Sequence, residues 1–263
     1  MLSFVRPAGL LFDIDGVLHV SMRPVPGGAE TLRWLSEQGY PRCFVTNTTT
    51  MTRTTLAQRL QQIGLPILEE DILTAPVATA NYIRQQYPDK RIWVLTKGNT
   101  AQDFAGLNLV DAAADVVVIG GAEELLSYET MNRAFRMLMH GAVLLAMHTN
   151  LYWRTSDGLQ LDSGVFVHAL EIASGKQATV LGKPNGAFFQ QALDLLHIQA
   201  SEALMIGDDL ENDVQGAQQA GLRAAFVTTG KHAADSPLLS RIHPEIVLSS
   251  LADLPEYLSS LSY

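Results

Sequence analysis

Asp13 and Asp15 are separated by one residue and followed by Gly16, directly after the apolar run Leu10-Leu-Phe12. Two carboxylates at a strand end, with a glycine to turn the chain, suit a nucleophile and a proton donor–acceptor working on one bond. They equally suit two turn-favouring acids that cap a loop. Thr46-Asn47 closes a second apolar run, 42–45. A hydroxyl and an amide there can bond phosphate oxygens without adding charge, or serve an ordinary strand-to-helix turn. Lys183 lies in Gly182-Lys-Pro184, and Pro184-Asn185 opens a helix. Held at a sheet edge, such a lysine offsets phosphate and carboxylate charge; the plain alternative is a solvated surface lysine. Gly207-Asp208-Asp209-Leu-Glu-Asn-Asp213 follows Ala203-Leu-Met-Ile206. Three aspartates and Glu211 in one turn repel each other unless a cation sits among them. Magnesium, a hard ion with a preference for oxygen ligands and octahedral geometry, suits such a place. Alone, the first three favour the plain reading, while the fourth favours a cation site over a soluble acidic loop with N-capping. Their order and spacing have no explanation as independent surface residues.

The elements that must position these residues follow a β-α-β rhythm. Apolar runs at 10–12, 42–45, 92–95, 116–119, 143–147, 203–206, 223–227 and 246–248 read as strands. Helical periodicity occupies 28–38, 53–63, about 77–86, 128–139, 164–174, 186–196, 211–219 and 251–261. The alternation predicts an α/β fold with parallel sheets covered by helices. All four chemical features stand just past apolar strands, at the carboxyl ends where open parallel sheets bind ligands. They fall in 13–47 and 183–213, so the expected organisation is a catalytic core, 1–77 and 179–263, interrupted by an inserted α/β domain, 78–178.

Bulk properties narrow the partners. The 263 residues carry a formal net charge of −9, with 47% hydrophobic and 17% charged residues. A buried core is affordable, and nucleic acid is a poor default partner for an acidic chain. The single cysteine, Cys43, excludes an internal disulfide and reads as a buried strand residue. No apolar run approaches the ~20 residues of a membrane span, and Asp13 comes too early for a signal peptide. A cytoplasmic protein with no membrane and no nucleic-acid partner is expected.

Asp13-x-Asp15-Gly, Thr46-Asn47, Lys183-Pro and Gly207-Asp208-Asp209-x-x-x-Asp213 together resemble the four ordered motifs of the haloacid dehalogenase superfamily. The long α/β stretch between the second and third resembles the C2-capped branch of the NagD type. Phe44-Val-Thr-Asn-Thr-Thr49, Gly158-Leu-Gln-Leu-Asp162, Ala169-Leu-Glu171, Val180-Leu-Gly-Lys-Pro184 and Met205-Ile-Gly-Asp-Asp209 resemble a narrower group. It comprises the phospholysine phosphohistidine inorganic pyrophosphate phosphatases and the hydrolase-domain proteins beside them. The resemblance implies a Rossmann-like, doubly wound parallel-sheet core with an inserted C2-type cap. It also implies a magnesium-dependent phosphatase acting on a small phosphorylated metabolite, whether phosphomonoester, pyrophosphate or phosphoramidate.

It further implies roles. Asp13 would attack phosphorus and bind magnesium; Asp15 would shuttle the proton, with its backbone carbonyl on the metal; Asp208 would be the third metal ligand. Asp209 and Asp213 would hold metal waters and Lys183. Thr46 and Asn47 would bind the transferring phosphoryl group, and Lys183 would offset its charge. Asn150, Tyr152 and Arg154 are candidates for choosing the leaving group, next to His148, Trp153 and 162–164. Many capped relatives carry an Asn-x-Asp loop, whereas this chain has Asn150-Leu-Tyr152 without the second acid. A homodimer is one admissible assembly. The rival readings are a phospho-accepting signalling domain, a catalytically idle regulatory protein of the same fold, and a haloalkanoate dehalogenase.

Overall fold

The protein is represented by a computed structural model that describes residues 5–155 and 158–261, the side chains of residues 154 and 155 excepted. Two compact units divide the chain. The first comprises Met1–Thr46, Thr54–Leu73 and Lys183–Tyr263; the second comprises Asn47–Arg53 and Thr74–Gly182.

The first unit is built on a six-stranded sheet in the order Ile246–Leu248, Arg223–Val227, Ala203–Gly207, Gly9–Asp13, Arg42–Thr46, Ile72–Thr74. Gly9–Asp13 pairs in parallel with both Ala203–Gly207 and Arg42–Thr46, and Arg223–Val227 pairs in parallel with Ala203–Gly207 and Ile246–Leu248. Every residue of Gly9–Asp13 and of Ala203–Gly207 is buried. That is why both read as unbroken apolar runs: a central parallel strand is covered on both faces. Phe12 and Phe44 stack across neighbouring strands with centroids 5.7 Å apart. Helix Gly186–Leu196 buries Phe188, Phe189, Ala192 and Leu193 on one stripe, and the Asn185 side chain caps its start by accepting from the Ala187 amide. Fully burying a phenylalanine or leucine side chain contributes about 1.5–3 kcal/mol.

The second unit holds a five-stranded parallel sheet in the order Thr179–Val180, Val143–Ala146, Val116–Ile119, Arg91–Leu95, Asn108–Leu109. Successive residues face opposite sides. Trp93, Leu95, Val117, Ile119, Leu144 and Ala146 pack with helices Tyr128–Met139 and Ser163–Ser174. Ile92, Val116, Val118, Leu145 and Met147 pack with helix Ala75–Gln86. An antiparallel hairpin, Tyr152–Thr155 with Gly158–Leu161, stands outside that sheet.

The units part from the sequence reading at both junctions. That reading carries the core continuously through residue 77 and resumes it at 179, whereas Asn47–Arg53, 74–77 and 179–182 belong to the second unit. For Asn47–Arg53 the cause is hydrogen bonding. Thr49 Oγ1 accepts from the Gly121 amide at 2.9 Å, the Thr49 carbonyl accepts from the Thr96 and Thr100 hydroxyls, and Asn99 Oδ1 accepts from the Thr52 amide. The expected helix over 211–219 begins instead as a π-helical turn, Leu210–Gln215, and only Gly216–Gln219 is α-helical. Among the described residues no helix is long and apolar enough to cross a membrane.

Candidate active site

The chain leaves the central strand Gly9–Asp13 toward Arg42–Thr46 on one side and later returns to Ala203–Gly207 on the other. That reversal of strand order opens a crevice at the carboxyl ends of the central strands, the usual ligand site of such sheets. Register does the rest. Phe12 aligns with Ile206 and Asp13 with Val45, so Thr46, Gly207 and Asp208 emerge at the same edge as Asp13.

Three buried carboxylates meet there. Asp13, Asp208 and Asp213 each offer an oxygen within 4.8 Å of the others. Lys183, itself buried, stands 2.5 Å from Asp13 Oδ1 and 2.7 Å from Asp213 Oδ1. The second oxygen of Asp213 accepts from the Asp209 amide at 3.1 Å, so this residue is held on both sides. Asp208 Oδ2 accepts from the Lys231 amide at 2.5 Å.

Asp209 and Asp213 are the residues expected to hold metal waters and Lys183, and only one of them bonds to that lysine here. The structure pairs Lys183 with Asp13 and Asp213, and pairs Asp209 with the Lys231 ammonium at 2.6 Å. The remaining capacity of Asp209 goes to the turn that follows: it accepts from the Glu211 and Asn212 amides and from the Asn212 side chain. It therefore caps the π-helical segment, and its two oxygens face donors of its own loop and of 231.

The electrostatics follow from burial and neighbours. Burial pushes the Asp13 carboxyl well above the usual carboxylate range, against the pull of Lys183, and the charges of Asp213 and Asp208 push the same way. Asp208 is pushed up to about 6, first by burial and then by Asp213. Burial alone would lower the Lys183 ammonium, but Asp13 and Asp213 overcome it and hold the pKa above its ordinary value. Burial also raises Asp209, yet Lys231 and the Asn212 bonds outweigh it and leave that carboxyl below its ordinary range. With Asp209 matched to Lys231, Lys183 can balance only one of the three buried carboxylates once all are ionised, and two negative charges would then stand uncompensated. A divalent cation with oxygen ligands fits that deficit in charge and chemistry.

The Asp15 side chain is exposed, unlike those of the buried trio, and its backbone forms a bridge with His19. Gly16 turns the chain with φ +83°, and a β-carbon on it would run into the Asp208 carboxylate. Gly16→Ala is therefore expected to cost about 1–3 kcal/mol, from the left-handed backbone and the overlap together. A lowered urea midpoint at unchanged m-value is the reading that checks it.

Thr46 is buried at its strand end in the first unit, while Asn47 belongs to the second, where its amide oxygen lies against Gly182. In the second unit Asn150 is half-buried, its amide donating to His148 Nδ1 at 3.3 Å and its carbonyl accepting from the Gly164 amide. Tyr152 is exposed, and the Arg154 side chain lies outside the described residues. His148 is buried beside Thr49 and Ser163, and burial lowers its pKa. Cys43 is also buried, with burial pushing its thiol up to about 12, which removes it from thiolate chemistry.

The sequence reading missed one wall of the crevice. Thr229 donates to the Gly16 carbonyl at 2.5 Å, Gly230 abuts the Asp208 carboxylate, and Lys231 binds both Asp208 and Asp209. The available signal was positional: Thr228-Thr-Gly-Lys231 follows strand Arg223–Val227 just as the recognised motifs follow theirs.

Comparison with known proteins agrees with this geometry. Residues 10–110 match the family model described as haloacid dehalogenase-like hydrolase, and residues 180–254 match one described as HAD-hydrolase-like. The chain is 41% identical over 225 residues to haloacid dehalogenase-like hydrolase domain-containing protein 2 of Bos taurus, covering 86% of this chain and 85% of that protein. It is 35% identical over 238 residues to phospholysine phosphohistidine inorganic pyrophosphate phosphatase of Danio rerio, covering 88% and 87%. Among solved structures, p-nitrophenyl phosphatase from Archaeoglobus fulgidus superimposes with a TM-score of 0.90 at 30% identity, covering 96% of this chain and 99% of that one. NagD from E. coli K-12 gives 0.84 at 26% identity, covering 95% and 98%. The chain thus belongs to the haloacid dehalogenase-like hydrolases, in their NagD-like branch, and is a phosphatase.

Proposed function

We propose that this phosphatase hydrolyses small phosphorylated metabolites with magnesium, through a phosphoryl group carried transiently on Asp13. The single observation that supports the reading best is the buried trio Asp13, Asp208 and Asp213 gathered around one ammonium, which can balance only one of them when all are ionised. Magnesium would be held by Asp13, Asp208 and the Asp15 backbone carbonyl. Bound there, it would lower the repulsion between an attacking carboxylate and a phosphate dianion.

The protein groups divide the remaining work. Asp13 attacks phosphorus; the phosphorus–oxygen bond to the leaving group breaks, and the leaving oxygen takes the Asp15 proton. The Asp15 carboxylate then takes a proton from water as that water attacks phosphorus, which releases phosphate and regenerates Asp13. Lys183, fixed between Asp13 and Asp213, meets the equatorial charge of the transferring group. Asp213 orients Lys183, and Thr46 offers a hydroxyl to the phosphoryl oxygens. The names of relatives active on p-nitrophenyl phosphate, pyrophosphate, phospholysine and phosphohistidine support a substrate range of phosphomonoesters, pyrophosphate and phosphoramidates.

The test is phosphate release from one member of each of those classes across a magnesium titration. Chelation is expected to abolish turnover. Asp208→Ala is expected to raise the magnesium concentration for half-maximal rate by at least about tenfold, the scale at which loss of groups around a metal site weakens binding. Turnover that survives chelation, or an unchanged titration in the variant, contradicts the reading.

A further inference from the structure

We infer that His19 is a positioning residue for the proton-transferring carboxyl of Asp15. The inference rests on the proposed role of Asp15 and adds a residue that no recognised motif contains. Two observations carry it. His19 is 3% exposed, and neither of its ring nitrogens has a hydrogen bond. Its Nε2 stands 3.5 Å from Asp15 Oδ1. A buried imidazole without partners is a cost to the fold, and the ring is set beside an acid whose own side chain is 64% exposed.

The local backbone keeps the pair together. The Gly16 amide donates to the His19 carbonyl at 2.8 Å, the Leu18 amide donates to the Ile14 carbonyl, and Asp15 and His19 form a backbone bridge. His19 then opens the short strand His19–Val20, which pairs antiparallel with Arg23–Pro24. Val17 and Leu18, between the two residues, are fully buried and anchor the turn. The backbone therefore keeps the buried ring beside the Asp15 carboxyl.

Closing the gap by about half an ångström brings the two groups to ordinary hydrogen-bond length. A neutral imidazole has one N–H to give and one lone pair to accept with. It can therefore hold the Asp15 carboxyl oxygen that is not engaged with the leaving group. That contact narrows the rotamers open to the carboxyl and favours those aimed at the reacting bond. A positioned acid contributes most where the leaving group cannot depart as a stable anion.

The experiment uses the whole chain with magnesium and two esters. One is p-nitrophenyl phosphate, whose leaving group departs as a delocalised anion. The other is glycerol 2-phosphate, whose alkoxide needs a proton. kcat/KM is measured because it reports the step in which the leaving group departs. His19→Phe keeps the bulk, removes both nitrogens, and is expected to leave Tm unchanged or raised. Its kcat/KM is expected to fall by about tenfold or more on glycerol 2-phosphate and by less than about threefold on p-nitrophenyl phosphate. His19→Gln, which retains a donor, is expected to recover part of the loss on the alkyl ester. Equal losses on both esters, or wild-type activity of His19→Phe on both, overturns the assignment, because packing alone accounts for either. If His19→Phe does not fold, His19→Gln and His19→Asn carry the same comparison. Wild-type protein that hydrolyses neither ester overturns the reading of Asp15 itself, and this inference with it.

Discussion

Asp13→Asn is expected to lower phosphate release by at least about 10³-fold while leaving the protein folded. The amide keeps the shape of the side chain and some hydrogen bonding but has no carboxylate lone pair to attack phosphorus. The fold has no strong reason to fail. The Asp13 carboxyl is already held above its ordinary range by burial and by Asp213 and Asp208, so neutralising it removes repulsion as well as the contact with Lys183. Phosphate release and thermal unfolding, measured on protein whose mass excludes deamidation back to Asp, check both halves. Substantial turnover in such a sample rules out Asp13 as nucleophile.

The second large effect is expected from Lys183→Met. Its ammonium is the cation bound directly between Asp13 and Asp213. Methionine fills much of the space but leaves two buried carboxylates without it, and breaking a buried pair from one side costs about 3–5 kcal/mol. Activity is expected to drop by about 10²–10³-fold, the scale for losing one preorganised charge contact to the transition state. The variant should also regain more stability on adding magnesium than wild type does, because a bound cation would then offset more unbalanced charge. Thermal unfolding of both proteins with and without magnesium reads this directly. An equal rise in Tm for the two would mean that Lys183 and the metal do not share the same field.

How much of this was legible in the sequence differs from residue to residue. Asp13, Lys183, Asp208 and Asp213 were readable because each follows an apolar run or opens a helix, and strand ends in a parallel sheet converge by register. The partner of Asp209 was not. Spacing places an acid on a turn, but whether it meets Lys183 or Lys231 depends on where the strand Arg223–Val227 ends in space. Strand Ile72–Thr74, three residues long, is too short to show a period. The hairpin Tyr152–Thr155 with Gly158–Leu161 leaves Tyr152, Trp153, Leu159 and Leu161 exposed, so it lacks the buried face whose alternation would have announced it. The membership of Asn47–Arg53 was hidden for another reason. It depends on the Gly121 amide and on the Thr96 and Asn99 side chains, 47–72 residues away, and pairings at that distance leave no mark on the local sequence.

Asp208 occupies a niche whose walls at positions 16 and 230 are bare backbone, with no room for even a β-carbon on either side. Lengthening the acid to glutamate would thrust an added methylene into the same cramped space, so a change that chemists call mild would be severe here. Three positions scattered across more than two hundred residues of chain consequently behave as one indivisible part: a side chain gained at either glycine is felt as damage to the carboxylate between them.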